Sequence, residues 1–187
     1  MATPEILGII AGNRNLPVLL AREARAAGVH RLVAVAIQGE TDEALADHVD
    51  EIIWIKVGQL NKLIKAFQDS GVTQCVMVGQ IAPDNLFNLR PDLRAMKLLI
   101  GLENKNAHTI FGGIANELAK DDIELIEATP WLQPAMPAKG FTLGPQLTES
   151  QQSDIEYGHR MATEIARLDI GQTVVVKDGT VLAVEGW

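Results

Sequence analysis

The chain has 187 residues, 47% hydrophobic and 21% charged, with 16 Lys+Arg against 24 Asp+Glu and a formal charge of -8. That apolar content can bury a core and excludes wholesale disorder. The acidic balance, with only 4% aromatic residues, argues against nucleic acid as a partner, by either phosphate binding or base stacking. Cys75 is the single cysteine. It cannot close an internal disulfide, and its neighbours Val72, Val76, Met77 and Val78 predict a buried strand thiol in a reducing cytosol. No apolar run reaches the roughly 18 residues a membrane span needs, and no basic segment precedes the first apolar stretch, so neither a spanning helix nor a secretory signal is expected.

Glu5 to Ala11 (EILGIIA) reads as a buried strand, followed by a turn over Gly12 to Leu16 and a helix opened by Pro17. Leu32 to Ile37 (LVAVAI) is an uninterrupted apolar run, expected of a strand covered on both faces. A short helix after Thr41, a strand over Ile52 to Val57, a helix after Gly58 with Leu60, Leu63, Ile64 and Phe67 on one face, and a strand over Gln74 to Val78 follow. This alternation with Gly-marked loops predicts an α/β fold, a doubly wound, Rossmann-like parallel sheet.

Gln80 to Arg90 has no period and reads as a loop. A helix begun by Pro91, a second from about Ala107 to Ala119 and a strand over Ile123 to Ile126 complete the sheet domain, assigned to residues 1–133. Pro and Gly cluster between Pro130 and Pro145, and residues 134–145 are assigned as a linker. Thr148-Glu149-Ser150-Gln151 resembles a capping box for a long helix to about Leu168. Lys177-Asp178-Gly179 between Thr173–Val176 and Thr180–Val184 is a hairpin signal. This partial α/β C-terminal unit, residues 146–187, is a helix plus one hairpin, too little to bury a core alone. Its apolar end, Val181 to Trp187, predicts strand pairing with a second copy, hence a homo-oligomer.

Ligands of a doubly wound sheet bind beyond the carboxyl ends of its strands. Ala11 to Asn15, including Gly12 and Asn13, Gln38-Gly39-Glu40, Lys56 to Gln59 and Gly79-Gln80-Ile81 project there. Gly12 either lets backbone approach a ligand or closes a tight turn. The helix near Pro17 offers N–H groups to a phosphate, although Pro17 donates none. The dinucleotide G-x-G-x-x-G pattern and the Walker A sequence are both missing, which argues against a nicotinamide-dependent oxidoreductase. Glu40 is the candidate for a ribose contact. In Phe87 to Arg94 (FNLRPDLR), Arg90 and Arg94 could clamp phosphate oxygens and Asp92 could orient an arginine or reach a metal; a capped helix start with ion pairs is the plainer alternative. Asp169 and Gln172, in Leu168 to Gln172 (LDIGQ), either face a cleft or form the turn into the hairpin. His30, His48, His108 and His159 have no metal spacing.

Four stretches together resemble one family: Gly8 to Pro17 (GIIAGNRNLP), Gly58 to Ile64 (GQLNKLI), Leu86 to Arg94 (LFNLRPDLR) and Leu168 to Gly179 (LDIGQTVVVKDG). They look like the LpxI-type UDP-2,3-diacylglucosamine pyrophosphatases, from residue 5 to the last residue. The resemblance implies hydrolysis of UDP-2,3-diacylglucosamine to UMP and lipid X in lipid A synthesis. It implies water attack at the α-phosphorus, a divalent ion such as Mg²⁺, and a cytoplasmic enzyme with at most peripheral contact with the inner membrane. Substrate binding is thereby expected at Gly12, Asn13, Gly79, Gln80, Arg90, Asp92, Arg94, Asp169 and Gln172. The family's acidic Glu-Gly-Thr-Asp segment follows the strand that here ends at Trp187, so no catalytic or metal residue is assigned, and the chain as given is expected to lack hydrolysis. The alternative is a non-catalytic module that binds a nucleotide or a lipid-sugar phosphate. Arg14 stands where many relatives have Gly.

Overall fold

The computed structural model describes residues 3–81, 91–102 and 107–185. Chain order runs β1 (Ile6–Ala11), α1 (Leu16–Ala26), β2 (Arg31–Ile37), a 3-10 turn (Glu43–His48), β3 (Glu51–Ile55), α2 (Leu60–Asp69) and β4 (Gln74–Val78). It continues through α3 (Leu93–Gly101), α4 (Ala107–Ala119), β5 (Glu124–Leu125) and α5 (Thr129–Leu132), then α6 (Glu149–Arg167), β6 (Val174–Lys177) and β7 (Thr180–Val184). Two compact units result: Met1–Glu103 with Phe111–Met136, and Asn104–Ile110 with Pro137–Trp187.

The first unit is an α/β fold around a parallel sheet of order β3-β2-β1-β4-β5. The strands of this sheet are apolar at nearly every position because both faces are covered. Leu7, Ile9, Leu32 and Ala34 point towards α1, packing with Leu20, Ala21 and Ala24. Ile10, Val33, Val35 and Ile37 point the other way, against Leu60, Leu63, Ile64 and Phe67 of α2. Cys75 is fully buried in β4, and burial pushes its thiol up to about 12, so it is inert as a nucleophile.

Differences from the sequence reading are local. β3 ends at Ile55 instead of Val57, and β5 keeps only Glu124 and Leu125. Pro130 opens the α5 turn near the end of the assigned sheet domain, and Trp131 buries itself beside β1, β4 and α1 residues. A proline at the first helical turn forfeits a hydrogen bond that would be unmade anyway. The loop expected over Gln80 to Arg90 lies outside the described residues beyond Ile81.

In the second unit, Thr148 caps α6 as a full capping box, its hydroxyl taking the Gln151 N–H while the Gln151 side chain returns to the Thr148 N–H. Asp178 and Gly179 both hold positive φ, 50° and 73°, the twist a two-residue hairpin turn requires. The Asp154 carboxylate on α6 accepts both turn N–H groups, from Asp178 at 2.8 Å and Gly179 at 2.7 Å. No residue of α6 is fully buried.

Candidate functional site

The chain runs from β1 outwards to β3, then returns to place β4 on the other side of β1. The reversal leaves a switch point between β1 and β4, where the loops after these strands diverge around a ligand. Here those loops first touch each other. The Gly12 N–H donates to the Val78 carbonyl at 2.8 Å, and the Asn13 N–H to the Gln80 carbonyl at 2.7 Å. A Cβ on Gly12 would lie 2.4 Å from the Gln80 carbonyl oxygen; one on Gly79, at φ +90°, would lie 2.8 Å from the Asn13 carbonyl oxygen. The two glycines are therefore needed for loop-to-loop approach, a reason the sequence left between turn and ligand contact. Arg14 follows at φ 64° with an exposed side chain, a backbone region that favours glycine.

The end of β2 joins the same corner. Thr41 is buried; its hydroxyl donates to the Ala11 carbonyl at 2.6 Å and accepts from the Ile37 N–H at 2.9 Å. Half-buried Glu40 accepts the Asn13 side-chain amide at 2.9 Å. The loops after β1, β2 and β4 thus form one connected polar rim built on Gly12, Asn13, Gly79, Gln80 and Glu40.

Helix starts at this edge differ in kind. At α1, Asn15 makes no side-chain cap and the first turn holds no acidic residue, so neither its cap nor its first turn supplies a negative side chain to the amide end. At α2 and α3 one carboxylate serves both. Asp92 accepts the Arg94 and Ala95 N–H groups of α3 at 3.1 and 2.9 Å, and the Asn61 N–H of α2 at 2.7 Å. Its oxygens are engaged by backbone, as in the capped helix start that the sequence offered as the plainer alternative.

Arg94 likewise does not present its guanidinium as an anion fork in this structure. Its Nε donates to Glu117 at 2.6 Å, and its Nη2 reaches the Glu117 carbonyl at 2.9 Å and Asp121 at 2.5 Å. Desolvation disfavours the charged guanidinium, but the Glu117 and Asp121 partners outweigh it and its pKa is raised. Glu117 is held below the usual carboxylate range by Lys120 and Arg94, against an opposing desolvation effect. Glu117 and Asp121 are four residues apart, where α4 ends, so both acids meet one α3 side chain. That pairing went unread in the sequence, although i,i+4 acids near the end of a helix were its visible signal.

Arg90 lies outside the described residues. Asp169 belongs to the second unit and ends α6 in a Schellman motif: its own N–H bonds the Ala166 carbonyl and the Ile170 N–H bonds that of Ile165, with Asp169 at φ 55°. Gln172 is exposed, next to Gly171, which is buried so tightly that a Cβ would overlap the Glu185 carbonyl oxygen. Among the described residues no three His, Cys, Asp or Glu side chains gather into a set that could hold a metal ion. Mg²⁺ needs only one or two carboxylates when substrate phosphates and water complete its shell, so the described residues are compatible with an ion that arrives with the pyrophosphate. Nor does any described helix have the length and apolarity to cross a membrane.

An open parallel sheet with three loops meeting at its switch point is the ligand-binding frame of a Rossmann-type α/β protein. Comparison with known proteins narrows that class. Residues 6–135 match the LpxI N-terminal domain and residues 138–187 match the LpxI C-terminal domain. The chain belongs to the LpxI family. It is 30% identical over 182 residues to the UDP-2,3-diacylglucosamine pyrophosphatase LpxI of Caulobacter vibrioides, an alignment covering 96% of this chain and 64% of that relative.

Proposed function

We propose that this chain binds UDP-2,3-diacylglucosamine and acts in hydrolysis of its pyrophosphate to UMP and 2,3-diacylglucosamine 1-phosphate, a step of lipid A synthesis. The observation that carries the reading is the connected rim of Gly12, Asn13, Glu40, Gly79 and Gln80 at the switch point of a chain belonging to this family. The uncapped start of α1, with exposed Arg14 beside it, suits the pyrophosphate: backbone N–H groups and the positive helix end favour an anion. Such donors help hydrolysis most when they hold the charge that grows on the phosphate oxygens as the P–O bond breaks. Asp92 fixes α2 against α3 and Arg94 fixes α3 against the end of α4, with Arg90, Asp169 and Gln172 as further candidates for substrate contact. Mg²⁺ dependence, a cytoplasmic location with at most peripheral membrane contact, and self-association through the β7 edge belong to the same proposal.

The test has a binding arm and a chemical arm. UDP-2,3-diacylglucosamine should bind, and NAD⁺ should not. Any hydrolysis in ¹⁸O-labelled water with Mg²⁺ should place the label in UMP, as attack at the α-phosphorus requires. Label in the sugar phosphate would contradict the chemistry, and no binding of the UDP-sugar would contradict the reading as a whole. Substrate binding without turnover would instead favour the non-catalytic module.

A further inference from the structure

One atom of the rim stands apart. Asn13 Oδ1 is buried and, among the described residues, has no hydrogen-bond partner. Its orientation is set chemically. The other end of the amide donates to Glu40 Oε2 at 2.9 Å, and a carboxylate can only accept, so the nitrogen must face Glu40 and the oxygen must face away. The backbone leaves no slack to move it, because the Asn13 N–H is bound to Gln80 and the Gly12 and Gly79 backbones are in contact. A buried acceptor held in place and unpaired is destabilising, and a bound donor would relieve it.

The neighbouring charge selects the donor. A phosphate oxygen cannot donate, and the Glu40 carboxylate beside the amide would repel it. A neutral hydroxyl suits the position. Glu40 lies three residues beyond the end of β2, where an acidic residue in open α/β sheets meets a ribose. We infer that Asn13 Oδ1 accepts a hydrogen bond from a ribose hydroxyl of the bound nucleotide, and that Glu40 is a positioning residue that holds the amide in the accepting orientation. This rests on the proposed UDP-sugar reading and orients the substrate within it: the nucleoside sugar lies at the β1–β2 corner, and the phosphates run towards the start of α1.

Titration with UMP, 2′-deoxy-UMP and 3′-deoxy-UMP tests it without any variant. The unaltered chain should bind UMP about tenfold more tightly than one of the deoxy forms, the loss of one hydrogen bond against an unpaired acceptor. Asn13→Ala should bind all three nucleotides alike. Glu40→Gln, whose amide can both donate and accept, should reduce the discrimination while leaving the weaker deoxy form unchanged. Equal binding of UMP and both deoxy forms by the unaltered chain overturns the inference, and so does undiminished discrimination in Asn13→Ala. Failure of UMP to bind at all overturns the UDP-sugar reading and this inference with it, and is distinguished by that fact from equal binding.

Discussion

Asp92→Ala tests whether this residue ties helices together. The substitution strips acceptors from the Arg94 and Ala95 N–H groups of α3 and from the Asn61 N–H of α2. Loss of an Asp N-cap costs about 1 kcal/mol. The contact to Asn61 has a charged acceptor, which would carry about 1.5–3 kcal/mol if dry. It is exposed, so water replaces much of it and about 0.5–1 kcal/mol is lost. The total of about 1.5–2 kcal/mol lowers the melting temperature by about 3–8 °C for a chain of this size. Asp92→Ser should recover about 1 kcal/mol, because one short hydroxyl can cap α3 but cannot also reach Asn61. Thermal melts followed by circular dichroism read both variants. An unshifted melt for Asp92→Ala, accompanied by lost nucleotide binding, would refute the helix-tying role and make Asp92 a substrate contact instead.

Four further outcomes follow from the same geometry. Gly12→Ala drives a methyl group against the Gln80 carbonyl and should destabilise by about 1–3 kcal/mol or more, whereas Arg14→Gly relieves a positive φ worth about 1–2 kcal/mol less about 0.4–1 kcal/mol of unfolded-chain entropy; urea melts that rank the two the other way would contradict the loop geometry. Asp50 is held below the usual carboxylate range first by the Leu32 N–H and then by Arg25. Its stabilisation is present above the ordinary carboxylate value and lost as pH falls through the lowered one, so Asp50→Asn should depress the melting temperature near neutral pH and much less near about pH 3; an equal deficit at both would sink the assignment. Arg94→Lys, which keeps the charge but not the fork, should lose part of the α3–α4 tie and destabilise by about 1 kcal/mol, measurable as a shift in the urea midpoint; no shift would show that Glu117 and Asp121 do not need the guanidinium. Light scattering should report a dimer or larger species, with a monomer at high concentration contradicting pairing through the exposed β7 edge.

What the sequence made legible was what depends on neighbours along the chain. The uninterrupted run Leu32 to Ile37 implied a strand covered on both faces, Asp178-Gly179 implied the hairpin, and Thr148 with Gln151 implied the start of α6. The candidate site was legible only as a set of loops, since Gly12, Asn13, Gly79 and Gln80 fall at strand ends. Their connection was not, because it joins loops that are far apart in sequence. Asp92 caps α2 through Asn61, 31 residues away, and Arg94 meets Glu117 across 23 residues. Each of these polar side chains has a plausible ligand-binding role until its partner is known, and only tertiary packing supplies the partner. Asp169 differs: its place just after a long helix was visible, but the left-handed backbone that makes it a helix terminus, normally a glycine position, was hidden by its side chain.

Backbone amide chemical shifts during a UMP titration most directly test the central claim that the nucleotide half of the substrate sits on the carboxyl edge of the parallel sheet. The account predicts saturable changes at Gly12, Asn13, Arg14, Glu40, Gly79 and Gln80, with the β6–β7 hairpin turn unaffected. Saturable changes that spare those residues and gather elsewhere, or no changes at any concentration of UMP, would contradict it.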